Sequence, residues 1–183
     1  MLETLSSPTV LLFLAALYGI TMKIADLLNE HGLTWFAYSG TLFGFLWGIF
    51  GAFIVLFSSP LIASAVIAMN IAFITRNRLD FLNHQIAASL IIIAGIVSAH
   101  IESIPFLVFF FTFLVFGSIK DYADDILKSK NPLFRFNELM PYYPLSTLIY
   151  CLFFGNWLLF GIFTVYTVAY NATKEIARRK GYH

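Results

Sequence analysis

The sequence predicts an all-α fold: a polytopic transmembrane helix bundle in one integral membrane domain covering residues 1–183. Three observations carry this. Hydrophobic residues make up 60% of the chain and charged ones only 11%, against roughly 45–50% and 25% in a soluble domain. The apolar residues also fall in runs close to the length of about 20 that crosses a bilayer. Those runs are separated by short polar or proline-bearing turns rather than by loops large enough to form soluble domains.

The first span is read over residues 8–25, after a polar SSPT start in which Pro8 suits a first helical turn. The N-terminus superficially resembles a signal peptide. It has no basic n-region and no small-x-small cleavage site, so it is read as a membrane helix. Span two covers 35–57, and Ser58-Ser59-Pro60 divides it from span three, 60–75. Span four covers 80–99, and the HIESIP turn precedes span five, 104–120. The last run, 142–171, is long for one crossing and short for two. One long or tilted helix is expected, giving six spans, with a break at Gly155-Asn156 and seven spans as the alternative.

Loop charges orient such a bundle. Lys23, Arg76, Arg78, Lys120, Lys128, Lys130 and Arg135 follow spans one, three and five, whereas the SSP and HIESIP turns hold no Lys or Arg. The positive-inside rule therefore places the loops after spans one, three and five in the cytoplasm. Six spans would leave the basic tail KEIARRKGYH outside, and seven would bring it in.

In span two, Gly40, Gly44 and Gly48 recur every four residues on one helix face, with Gly51 nearby. Small residues at this spacing let another helix approach closely, as an internal seam or as a homo-oligomer contact. The lone Cys151 excludes a disulfide framework and reads as core filler. A formal charge of +1 without a basic arm gives no sign of nucleic-acid binding.

The chemistry gathers at one predicted side. Asp26, Glu30, Asp80, Asp121, Asp124 and Asp125 all lie at cytoplasmic span ends. Asp26 and Glu30 share a helix face, as do Asp121, Asp124 and Asp125. Like charges so placed repel unless a cation lies between them, and carboxylate oxygens suit Mg²⁺, which bridges to phosphate. Asp26, Glu30, Asp121, Asp124 and Asp125 are therefore the candidate metal ligands, the first four also the candidate catalytic groups. Lys23, Arg76, Arg78 and Lys120 are candidate phosphate binders, arginine gripping in bidentate fashion. Solvated helix ends are the plain alternative. Asp80 and His84, at i and i+4, suggest a hydrogen-bonded pair, and no HExxH or comparable zinc pattern occurs. Asn70, Asn83, Gln85 and Asn156 are expected to bond between helices.

A short internal echo joins the two acidic ends: GITMKIADLLN (19–29) aligns without gaps on GSIKDYADDIL (117–127), Asp26 meeting Asp124. The run KDYADD resembles the second aspartate motif of the UbiA-type intramembrane prenyltransferases, in which Lys-Asp-x-x-Asp ends a membrane helix. In MKIADLLNE, Asp26 and Glu30 match the last two acids of that family's first motif, Asn-Asp-x-x-Asp-x-x-x-Asp, with Met22 and Lys23 in place of Asn-Asp. The resemblance covers about twenty residues, and the family's roughly nine spans exceed the six or seven available here. It implies that Asp26, Glu30, Asp121 and Asp124 hold Mg²⁺ against a prenyl diphosphate while nearby Lys and Arg steady the leaving pyrophosphate. The expected function is thus an integral membrane enzyme acting on a membrane lipid or polyprenyl (di)phosphate, a Mg²⁺-dependent prenyl or lipid-phosphate transferase. A small transporter or channel is the second reading, and a non-catalytic membrane assembly partner the third. A single enzymatic site requires the two acidic ends to converge on one cavity.

Overall fold

The computed structural model describes residues 2–31, 33–98, 101–123, 136–137 and 139–182, the side chains of residues 2 and 3 excepted. Asp124 and Asp125, expected as metal ligands, lie outside the described residues. Every regular element among the described residues is helical. After a single turn at Leu2–Leu5 come α1 (Pro8–Glu30), α2 (Ser39–Phe57), α3 (Pro60–Thr75), α4 (Leu82–Ser98), α5 (Ser103–Tyr122), α6 (Tyr142–Phe154) and α7 (Trp157–Arg179).

Three of these helices, α1, α2 and α5, are long and apolar enough to cross a membrane, where six spans were expected. This marks the chain as a membrane protein. The apolar helices α3, α4 and α6 are shorter, at 16, 17 and 13 residues. The run 142–171, expected as one helix, is two. Gly155 ends α6 at φ +79°, a left-handed conformation that costs glycine little. The Asn156 side chain then caps α7 by accepting from Leu159 N–H, and the Asn156 backbone carbonyl accepts from the buried Cys151 thiol.

Local sequence explains the other ends. Ser7 caps α1 and Pro8 occupies its first turn, where a missing N–H is harmless. At the end of α3, Asn77 takes a left-handed φ of 58°. Its N–H donates to the Ile74 carbonyl, and Arg78 N–H donates to that of Phe73. This double closure is a Schellman motif, with asparagine in the place glycine usually takes.

The helices alternate in direction. The C-terminal ends of α1, α3, α5 and α7 meet the starts of α4 and α6 around one polar cavity. At the opposite end, the start of α1, the α2–α3 turn and the α6–α7 break come together. Between the ends lies an aromatic core in which Tyr18, Phe113, Tyr143, Phe163 and Tyr166 are buried and in ring contact.

The glycine face of α2 is a seam within the chain. A methyl group on Gly44 would lie 2.6 Å from Asn83 Cα, and one on Gly48 would lie 2.8 Å from Ala87 Cα, so α4 covers both positions. Within the chain, Asn29 of α1 lies against Gly40, and α4 lies against Gly44 and Gly48. Asn70 and Asn83 bond between helices as expected, to the carbonyls of Ala88 and Ala25. Gln85 instead donates to Leu79, just before its own helix. Replacing Gly44 by valine is expected to push α4 away and cost about 1–3 kcal/mol. A lowered thermal unfolding midpoint in detergent checks this, with no change contradicting the close approach.

Candidate functional site

The polar cavity has a volume of about 350 Å³. Asp26 and Glu30 reach it from the end of α1, Arg76 and Arg78 from the end of α3, and Lys120 with Asp121 from the end of α5. The two acidic ends therefore share one cavity, as far as Asp121 represents the second. Lys23 also lines it, so all four expected phosphate binders are present.

The first half of the site centres on Asp26, which is buried in the bundle. Tyr170 donates its hydroxyl proton to Asp26 Oδ2 at 2.9 Å, and the buried Lys23 ammonium lies 3.8 Å from the same oxygen. Lys23 also sits over the Tyr170 ring, 5.4 Å from its centroid. With Oδ2 so engaged, Oδ1 is left to face His84 Nε2 at 3.2 Å. Glu30 Oε1 lies 3.9 Å from the same nitrogen.

The imidazole has a defined tautomer. Its Nδ1 lies 3.1 Å from the Arg78 carbonyl, which can only accept, so Nδ1 carries the proton. In neutral His84, Nε2 then presents a lone pair to two carboxylate oxygens. Three acceptors face one another, an arrangement satisfied by a proton on Nε2 or by a cation among them. A histidine that donates its second nitrogen to a backbone carbonyl is also the usual form of a metal-ligating one. The donor atoms of Asp26, Glu30 and His84 lie within 4.8 Å of one another, and the group could hold a metal ion.

The second half is an ion-pair cluster. Arg76 Nη1 lies 3.1 Å from Asp121 Oδ2, and Arg78 Nη2 lies 2.8 Å from Asp121 Oδ1. The Schellman turn at Asn77 accounts for this, because it reverses the chain between the two arginines and leaves both within reach of α5. Arg76 is deeply placed, its side chain 5% exposed. Its guanidinium rests on Phe73 and against Gly117, where any side chain would overlap it. Gly117 thus opens the space that the arginine fills.

Several contributors were not assigned these roles from sequence. His84, expected to pair with Asp80 one turn away, faces Asp26 instead, while Asp80 lines the cavity. Tyr170 and Lys174 enter from α7. Their i, i+4 spacing at the end of an apolar run was the available signal, obscured by reading that run as a single helix. Beyond the apolar run, Arg178 and Arg179 hydrogen-bond Glu175 and hold its carboxyl down to about 2. Comparison of the chain with known families, with curated proteins and with solved structures found no match.

Removing Asp121 leaves the buried Arg76 guanidinium without its anion, so Asp121→Asn is expected to cost about 3 kcal/mol. Arg76→Met combined with Asp121→Asn should cost less than the two single changes added together. A double-mutant cycle on unfolding free energy reads this directly, with a coupling below about 0.5 kcal/mol contradicting the pair.

Proposed function

We propose that the chain is an integral membrane enzyme acting on a lipid or polyprenyl (di)phosphate at the cytoplasmic interface, with Mg²⁺ or a similar divalent cation at Asp26, Glu30 and His84. The observation that carries this reading is the meeting, in one cavity at the end of an apolar bundle, of two carboxylates and an imidazole that could hold a metal ion with several basic side chains. Clustered ionisable groups are costly at such a place and are functional by default. The likeness of KDYADD and MKIADLLNE to UbiA-type motifs points to a similar kind of site.

The residues divide the work. Bound at the acceptor cluster, the cation would neutralise charge on a phosphoryl or leaving diphosphate group. Arg76 and Arg78 offer planar donors to phosphate oxygens, and Asp121 holds them in position until a phosphate arrives. Lys23, Lys120 and Lys174 add positive charge around the same space. Tyr170 orients Asp26, leaving one carboxylate oxygen toward His84 and the cation. Hydrogen bonding at the Arg78 carbonyl fixes the ligating tautomer of His84.

The alternating helices support a seven-crossing topology, with the ends of α1, α3, α5 and α7 in the cytoplasm. That arrangement brings the basic tail inside and meets the charge rule. A packed aromatic core beneath the cavity favours an enzyme over a transporter, whose ligand sites usually lie near the midplane.

Two measurements test the reading. Mg²⁺ or Mn²⁺ at a hundred times its dissociation constant should stabilise the purified protein by about 2.7 kcal/mol, and the gain should vanish in Asp26→Asn and His84→Ala. Metal stabilisation unchanged in both variants would overturn the cation site. Phosphate or pyrophosphate release from a polyprenyl diphosphate in lipid nanodiscs should require the metal and fall at least about 100-fold in Asp26→Asn. Equal release by wild type and variant would remove the enzymatic assignment.

A further inference from the structure

The α1–α2 loop and the end of α7 meet at the same end of the bundle as the polar cavity. Leu27 of α1, Leu33 of the loop and Ala177 of α7 form a small buried cluster, and Tyr182 packs against it. Leu33 is two residues from Trp35, and Ala177 adjoins Arg178, so this cluster ties together two exposed groups. One is aromatic: Trp35, Phe36 and Tyr38 are each more than half exposed. The other is basic: Arg178, Arg179 and Lys180 are exposed where α7 ends.

Helix lengths set the depth of both groups. Helix α2 begins at Ser39 and has 19 residues, a rise of about 28 Å. The hydrocarbon core of a bilayer is about 30 Å thick, so the loop aromatics stand just outside it. Tryptophan and tyrosine gather at that depth. From Trp157 to Arg178, helix α7 rises about 32 Å, which carries the arginines to headgroup level as well.

Charge and strain distinguish this surface from an ordinary helix end. Residues 174–180 hold four basic groups and one acid, a net charge of +3. Glu175 Oε2 lies 2.7 Å from Arg178 Nε, and its Oε1 lies 2.9 Å from Arg179 Nε. The carboxylate thus braces both guanidiniums on one face, and each keeps further N–H donors for another anion. Tyr38 has φ +65°, a left-handed conformation rare for a bulky residue, and is 85% exposed. Burial within the chain does not offset that strain, whereas immersion in an interface would.

We infer that this platform binds anionic phospholipid of the surrounding bilayer. The guanidiniums take the lipid phosphate in bidentate fashion, and the aromatic loop beds among the glycerol and upper acyl groups. A soluble protein fits less well, because it reaches headgroup depth only by displacing lipid. Such binding requires only that the chain lies in a bilayer, whatever chemistry the cavity performs.

The test places the full chain in nanodiscs of equimolar dioleoyl phosphatidylglycerol and dioleoyl phosphatidylcholine, and native mass spectrometry reads the lipids retained on the released protein. Each basic residue near an anionic surface strengthens attraction about fivefold, so wild type should retain phosphatidylglycerol at least about tenfold over phosphatidylcholine. Arg178→Gln, Arg179→Gln and Lys180→Gln together should cut that ratio at least about fivefold. Glu175→Gln frees the arginines and raises the patch charge, so the ratio should rise. Inorganic phosphate at millimolar concentration should not displace the lipid. No enrichment in wild type, an unchanged ratio in the triple variant, or a fall in Glu175→Gln would overturn the lipid site. Displacement by inorganic phosphate would reduce it to a plain anion site and overturn it equally. In a Trp157→Phe background, with Trp47 buried, brominated lipid should quench Trp35 fluorescence and aqueous iodide should not. Quenching by iodide alone would place the loop in water, leave the surface to a soluble partner, and overturn the assignment.

Discussion

No charge buried in an apolar bundle can go unanswered, and the polar end of this protein is arranged around that constraint. The imidazole of His84 is the point where the answers meet. Through Nδ1 it is fixed to the turn after α3, and through Nε2 it faces Asp26 on α1. Its own helix is held to α2 across Gly44 and Gly48, and Asn83, one residue before it, donates to the α1 backbone. Three segments far apart in sequence are thereby tied at one ring. Tyr170 adds the last helix, through the same carboxylate.

Much of this was legible in the sequence, because the strongest terms act locally. A run such as 104–120 must be a helix in lipid, since only a helix satisfies its own backbone there. The acids and bases were also legible as a set, because charged residues are few and stand at the ends of runs. Gly40, Gly44 and Gly48 announced a close approach, although spacing cannot name the partner. What remained hidden was pairing across distance. His84 has an acid one turn away in Asp80, and a local reading chooses it. The fold offers instead the better buried Asp26, 58 positions earlier.

The last apolar run shows a second kind of limit. Composition is nearly uniform from Tyr142 to Tyr170, and length alone cannot decide between one helix and two. A single residue settles it, because Gly155 adopts a backbone conformation that most side chains disfavour. Splitting the run turns α7 around and delivers Tyr170 and Lys174 to the same end as Asp26. Asp121 was singled out for its charge, but its neighbours were hidden for the same reason as those of His84. The Asn77 turn that brings it two arginines is written in Arg-Asn-Arg, and its direction is set by packing.

Arg78 occupies an unusual position between the two halves of the cavity. Its carbonyl fixes the histidine, and its guanidinium holds Asp121. These duties differ in how they are encoded. Side-chain identity is open to substitution, whereas a peptide carbonyl belongs to every amino acid. Genetic variation at this codon can therefore erase the ion pair while the carbonyl persists. The orientation of the imidazole depends on backbone shape, and drift can reach it only by altering the Asn77 turn.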